Sequence, residues 1–364
     1  MPINLRKIEF FNREKEAEEI MNVLESEPRV INFVYGPINS GKTTLITNLI
    51  ENLPEDYVIF NINLRGRFIS NYHDFVRVLF DVEKDKDLKE ILKKLMVKSE
   101  KAIYRTGGLP APESLLETFF GEGSHEDVFK FLEGYFKNIA KEKTPVLILD
   151  ELQVIGDLKI NGHLIYELFN FFIRLTKELH LCHVFAISSD SLFIEKVYGE
   201  AMLQKRCSYL LVDNFDEQIT EKFLNEYNFS KREKDMVWNH VGGNPAMLIE
   251  AIDAKINKKS ISERLNRRLN IEKGKLRQEL YYVKNIGKTI PFGETTIKLS
   301  YKKIIEVMEN FKDNDSWEYK AITPEIAYLT SENVIFADPL KTIIKPQSKL
   351  DLIVIREVLK ESEK

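Results

Sequence analysis

Lys42 stands next to last in the run Gly36-Pro37-Ile38-Asn39-Ser40-Gly41-Lys42-Thr43, whose residue types and spacing suit one task, gripping a polyphosphate. Glycines let consecutive backbone N–H groups curl round an anion, and the positive end of a following helix faces the same point. A lysine at this place reaches the β- and γ-phosphates, and the next hydroxyl, Thr43, can hold Mg²⁺. Residues Gly36 to Thr43, with Thr44 beside them, are therefore the expected contacts of a nucleoside triphosphate. A second run, Val146-Leu147-Ile148-Leu149-Asp150-Glu151, supplies the other half of such a site. Its apolar residues read as a buried strand that delivers an acid pair beside the phosphates. Asp150 is expected to hold the Mg²⁺ hydration shell, and Glu151 to orient and deprotonate the attacking water. An apolar strand ending in an acid is common, and it gains meaning here from its pairing with the phosphate loop.

These residues need a scaffold, and the chain predicts one. Arg29–Tyr35 is rich in β-branched and aromatic residues, and Leu45, Ile46, Leu49 and Ile50 recur at helical spacing, so the loop stands between a strand and a helix. Further strands are expected at 57–64, 145–149, 184–188 and 208–212, with helices at 11–25 and 163–180. Strands alternating with helices imply an α/β fold, a doubly wound parallel sheet with ligand at the carboxyl ends of its strands. Ser188-Ser189-Asp190 closes the fourth strand; a polar side chain there could contact the γ-phosphate or the water, or could cap the helix that follows. Arg206, just before the fifth strand, is either an arginine finger offered to a neighbouring copy or a surface arginine.

The stretch 65–144 reads as a mainly helical insertion, broken by a turn-rich segment at 107–112, and carries no catalytic signature. After Asp213 the pattern turns helical, with helices expected at 216–227, 231–240, 246–256 and 260–284. Val241-Gly242-Gly243-Asn244-Pro245 is a tight turn between two of them. Pro291-Phe292-Gly293 reads as a boundary, followed by helices near 300–311 and 323–331, paired strands at 333–337 and 342–346, and a last helix at 349–361. The expected division is a core at 1–213, a helical lid at 214–288, and a small α+β, winged-helix-like domain at 289–364.

A chain of 364 residues, 43% apolar, can build two or three domains. A net charge of −4 argues against a globally basic protein while leaving room for a local basic face. Cys182 and Cys207 read as buried free thiols, and no Cys/His cluster has metal-site spacing. The charged start lacks an apolar leader region, and no apolar stretch is long enough to span a bilayer, so a cytoplasmic protein is expected.

Taken together, the phosphate loop, the LILDE strand, the ISSD strand end, Arg206 and the VGGNP turn resemble the archaeal ATPase family, which is similar to AAA+ proteins and to the STAND class of signalling NTPases. The opening Phe11-Asn12-Arg13-Glu14-Lys15-Glu16 resembles the segment by which such proteins start, close to the adenine pocket. The resemblance implies ATP rather than GTP. It also implies that Gly243 and Pro245 lie near the base and couple nucleotide state to the lid, and that the C-terminal part is the family's winged-helix module. An AAA+ sensor-2 arginine is not evident, which favours a slow switch over a processive motor.

The leading expectation is an Mg²⁺-dependent, ATP-hydrolysing switch that couples nucleotide state to a C-terminal partner-binding module, with nucleotide-dependent assembly if Arg206 acts between copies. A DNA-associated regulator is the alternative, resting on the basic run 255–284, in which Arg264, Arg267 and Arg268 share one helix face. A protein-capturing ATPase using the insertion or the C-terminal module is a third. No acceptor site points to a kinase, and no NKxD motif points to a GTPase.

Overall fold

Ile31–Tyr35 (β1), Tyr57–Asn63 (β2), Thr144–Asp150 (β3), His183–Ser188 (β4) and Cys207–Leu211 (β5) pair as one parallel sheet in the computed structural model, in the order β2-β3-β4-β1-β5. The structure describes residues 8–67, 69, 72–79, 125–155, 164–293 and 295–362. β1 and β4 are buried along their whole length, as strands covered on both faces must be. Alternation along β3 divides the core. Val146 and Ile148 face α1 (Glu14–Leu24) and α2 (Lys42–Asn52), where Leu24, Leu45, Ile46 and Leu49 pack. Leu147 and Leu149 face the other layer, built by α3 (Tyr72–Leu79), α4 (His125–Ile139) and α5 (Leu164–Ile173) with Phe75, Phe136 and Phe169.

Within the insertion, α3 and α4 are helical as the pattern predicts; the turn-rich segment 107–112 lies outside the described residues. The helix expected over 163–180 is regular only to Ile173. It then widens into a π turn at Arg174–Glu178, where Leu179 N–H donates to the Arg174 carbonyl at 3.0 Å.

After β4 comes α6 (Ser191–Gly199), and after β5 the chain is helical: α7 (Glu217–Glu226), α8 (Lys231–Val241), α9 (Pro245–Ile256) and α10 (Ile261–Tyr281). A Ser230–Glu233 capping box starts α8. α10 serves two cores. Ile261 and Leu265 pack with Leu248 and Ile252 of the helical group, while Leu276 and Leu280 belong to the C-terminal cluster around Ile304, Ile344 and Ile355.

The C-terminal part holds a hairpin, β6 (Thr289–Phe292) with β7 (Thr295–Lys298), then α11 (Tyr301–Glu309), β8 (Trp317–Glu318), α12 (Pro324–Ser331), β9 (Ile335–Asp338), β10 (Ile343–Pro346) and α13 (Lys349–Ser362). β8, β10 and β9 form a three-stranded antiparallel sheet. Pro291-Phe292-Gly293 is thus the hairpin's first strand and turn rather than a plain boundary. Its backbone pairs only with β7, so the proline costs no bond in a central ladder.

This C-terminal part sits on the sheet's flank. β9 and α12 pack against α6, and Ala337 N–H donates to Ser191 Oγ at 3.2 Å. Tyr35 Oη donates to Asp338 Oδ1 at 2.9 Å, and the Tyr35 ring stacks on fully buried Phe336. Among the described residues, no helix is long and apolar enough to cross a membrane.

Candidate functional site

β1 ends at Tyr35 and α2 begins at Lys42, so the loop between them lies at the carboxyl edge of the sheet, beside the ends of β4 and β3. Gly41, at φ 96°, takes the left-handed turn that starts α2. Lys42 is buried, and its Nζ donates to the Gly36 carbonyl at 3.0 Å and the Pro37 carbonyl at 2.9 Å. Burial pulls its ammonium down to about 8, although Glu151 and Asp150 act in the opposite sense. The loop is held from both sides. Arg13, itself buried, donates through Nη2 to the Ser40 carbonyl at 2.7 Å and to the Asp213 carbonyl at 2.6 Å. Its guanidinium also lies 4.6 Å over the Phe215 ring.

Thr43 Oγ1 donates to Asp150 Oδ2 at 2.9 Å, joining the two motifs across 107 residues of sequence. Burial pushes the Asp150 carboxyl up, opposed by hydrogen bonds from the Thr43 hydroxyl and from the Glu151 N–H at 3.0 Å. A hydroxyl and a carboxylate in contact form an all-oxygen donor pair suited to Mg²⁺, which takes one or two protein ligands and completes its shell with phosphates and water. The described residues contain no cluster of three or more His, Cys, Asp or Glu that could hold a metal ion.

Glu151 has φ 63°, an uncommon conformation for a residue with a side chain, and one that turns it away from the strand's regular path. Its carboxylate is ion-paired with Arg65 at the end of β2, and Gln153 Nε2 donates to its Oε2 at 2.6 Å. Gln153 Oε1 in turn accepts from Ser188 Oγ at 2.8 Å. Ser188, fully buried at the end of β4, is thus linked to Glu151 through one carboxamide. Asp190 is a helix cap, accepting from Leu192 N–H at 2.9 Å and Phe193 N–H at 3.1 Å. The capping role at this strand end thus belongs to Asp190.

The VGGNP turn reaches the loop through its asparagine, the fourth residue. Asn244 Nδ2 donates to the Ile38 carbonyl at 3.1 Å and to Asn214 Oδ1 at 3.0 Å. Pro245 opens α9 and approaches Gly41, while Gly243 lies so close to the chain before α7 that an added Cβ would stand 1.8 Å from the Phe215 carbonyl oxygen. Thr44 is exposed on the first turn of α2. Arg206 is elsewhere: its carbonyl accepts from Ile31 N–H, the first residue of β1, which puts it at the end of the sheet opposite the phosphate loop. Within one chain it does not meet the site.

Sequence reasoning missed Arg65, Gln153, Asn214, Asn244 and Gln347 as site residues. The last donates nothing to the loop but accepts from Ile38 N–H at 2.9 Å, from 309 residues away. Arg65, Asn214 and Gln347 come from segments folded back from elsewhere, while Gln153 and Asn244 stand beside or within runs already singled out, where residue type alone does not mark the contact.

Comparison with known proteins fits this geometry. The family model described as an ATPase domain predominantly from Archaea matches residues 10–251, and the C-terminal domain model of MJ1010-like ATP-binding proteins matches residues 262–359. The ATP-binding protein MJ1659 of Methanocaldococcus jannaschii is 45% identical over 366 residues, covering 97% of this chain and 98% of its own length. An ATP-binding protein of Pyrococcus abyssi, PYRAB09480, is 42% identical over 354 residues, covering 96% and 98%. Among solved structures, a Walker-type ATPase of Pyrococcus abyssi superposes with a TM-score of 0.63 at 15% identity, covering 95% of this chain and 96% of its own. The Aeropyrum pernix ORC2 protein gives 0.50 at 13%, covering 99% and 97%; both share the fold. With a phosphate loop facing a strand-borne acid pair and both family models matched in order, the chain belongs to the archaeal ATPase family of ATP-binding P-loop proteins.

Proposed function

We propose that this chain is an Mg²⁺-dependent ATP hydrolase that works as a switch, its helical lid and C-terminal winged-helix-like module responding to nucleotide. One observation carries the reading: Lys42, Thr43, Asp150, Glu151 and Ser188 converge from three neighbouring strand ends onto one edge of the sheet. Thr43 and Asp150 would hold Mg²⁺, which supplies positive charge to phosphate oxygens as they gain negative charge. Lys42 gives up its two carbonyl partners and turns its ammonium to the phosphates. Glu151, released from Arg65, accepts the proton of the attacking water, while Gln153 keeps the carboxylate aimed. Ser188 fixes Gln153 from the other side.

Arg206, on the far edge, acts only if a second copy brings it to the site, so nucleotide-dependent assembly belongs to this reading. The core at 1–213, lid at 214–288 and module at 289–364 are its moving parts, with α10 tying the last two together. A protein partner fits the module better than duplex DNA. The basic run is largely neutralised within the chain: Arg264 and Arg268 pair with Glu250, Lys273 with Glu357, and Arg277 with Glu361.

The test is phosphate release from ATP with Mg²⁺ and with EDTA. Steady turnover abolished by EDTA supports the reading; no turnover by a folded, ATP-binding protein removes the hydrolase.

A further inference from the structure

The C-terminal module touches the phosphate loop directly, and through one side chain. Gln347, which follows β10 and is only 2% exposed, accepts from the Ile38 N–H through Oε1 and donates through Nε2 to the Ile335 carbonyl at 2.9 Å. The second bond fixes which end of the carboxamide faces the loop. The Gln347 carbonyl accepts from Asn214 Nδ2 at 2.8 Å, Asn214 accepts from Asn244, and Asn244 donates to the Ile38 carbonyl. A closed circuit of hydrogen bonds therefore holds both backbone polar groups of Ile38, and it draws on the loop, the VGGNP turn and the C-terminal module at once.

In this arrangement the donors that a polyphosphate needs are engaged by the protein itself. Ile38 N–H is given to Gln347, and the Lys42 ammonium to Gly36 and Pro37. Nearby docking contacts act in the same direction: Lys345 pairs with Asp213, Tyr35 with Asp338, and Ser191 with Ala337. Behind them, β9 and α12 turn their buried faces to α6, so whatever surface they carry is covered while the module is docked.

We propose that Gln347 is the nucleotide-sensing residue of the C-terminal module: it competes with polyphosphate for the Ile38 amide, so that nucleotide binding and module docking oppose each other. By linkage, whatever loosens docking tightens nucleotide binding, and nucleotide uncovers the α12–β9 face. This rests on the proposed switch and names its trigger.

The experiment uses the full chain, titrated calorimetrically with a non-hydrolysable ATP analogue and Mg²⁺, with hydrogen exchange followed over residues 324–346. In wild type, the analogue raises exchange in that segment. Gln347→Ala shows raised exchange before any analogue is added and binds it about three- to tenfold more tightly, as the loss of one competing hydrogen bond requires. Tyr35→Phe removes a docking bond without touching Ile38 and shifts both readouts the same way by less; should Gln347→Ala not fold, it decides alone. Equal or weaker binding by the variants, or exchange indifferent to the analogue, overturns the competition while leaving ATP binding standing. No binding by wild type overturns both this inference and the switch.

Discussion

Lys42 is out of solvent, and burial pulls its ammonium from the usual 10.5 down to about 8, against the opposing charges of Glu151 and Asp150. A polyphosphate favours the charged form, so above that pH binding has to take up a proton. ATP affinity is therefore level up to about pH 8 and falls by nearly tenfold per unit beyond it. Calorimetry in buffers of different ionisation heat reads both the decline and the proton; affinity unchanged to about pH 9.5 contradicts the burial argument. In the proposed mechanism Gln153 is a positioning residue, acting through its hydrogen bond to Glu151. Gln153→Ala lowers kcat by about ten- to a hundredfold with KM for ATP little changed; a rise in KM at constant kcat assigns it to binding instead. The two motifs were legible because their chemistry is local, with Lys42 and Thr43 adjacent and Asp150 and Glu151 at one strand end. Gln153, Arg65 and Gln347 were not, since nothing in their own neighbourhoods distinguishes them from surface polar residues. The left-handed backbone of Glu151 was equally hidden.

At the level of elements, periodicity served where one face is buried and failed where it is not. β3 is buried on both faces and is marked instead by its unbroken apolar run, Val146, Leu147, Ile148 and Leu149. The β6–β7 hairpin buries no residue fully on either strand and contains Pro291, so it looked like a boundary; β8, two residues long, gave no period at all. The π turn after α5 continues a helical apolar pattern and differs only in which carbonyl is used. The VGGNP turn was legible as a turn but not as a clasp. Gly243 admits no side chain, since its Cβ position falls on a neighbouring backbone oxygen that cannot swing away. Gly243→Ala should destabilise by about 1–3 kcal/mol in urea unfolding. An unchanged melt would show that the two backbones separate freely.

Across the whole molecule, the C-terminal part and the sheet share apolar contacts as well as hydrogen bonds: Phe336 is counted in the sheet's own core, stacked on Tyr35. The Lys345–Asp213 ion pair beside this contact is partly exposed and contributes about 0–1 kcal/mol, so packing dominates the attachment. Phe336→Ala should cost about 3–5 kcal/mol and split calorimetric unfolding into two transitions, the module separating before the core. A single transition at the wild-type temperature would mean that the module is held by something else. None of this interface was legible, because its two sides, around residues 35 and 336, are periodic within their own elements and carry no mark of each other.

The most direct test pairs two readouts on Glu151→Gln, ATP affinity by calorimetry and single-turnover phosphate release. The predicted result is affinity within a fewfold of wild type and release slowed by about 10²–10⁴. Release at the wild-type rate would contradict Glu151 as the base, and with it the mechanism proposed for this site.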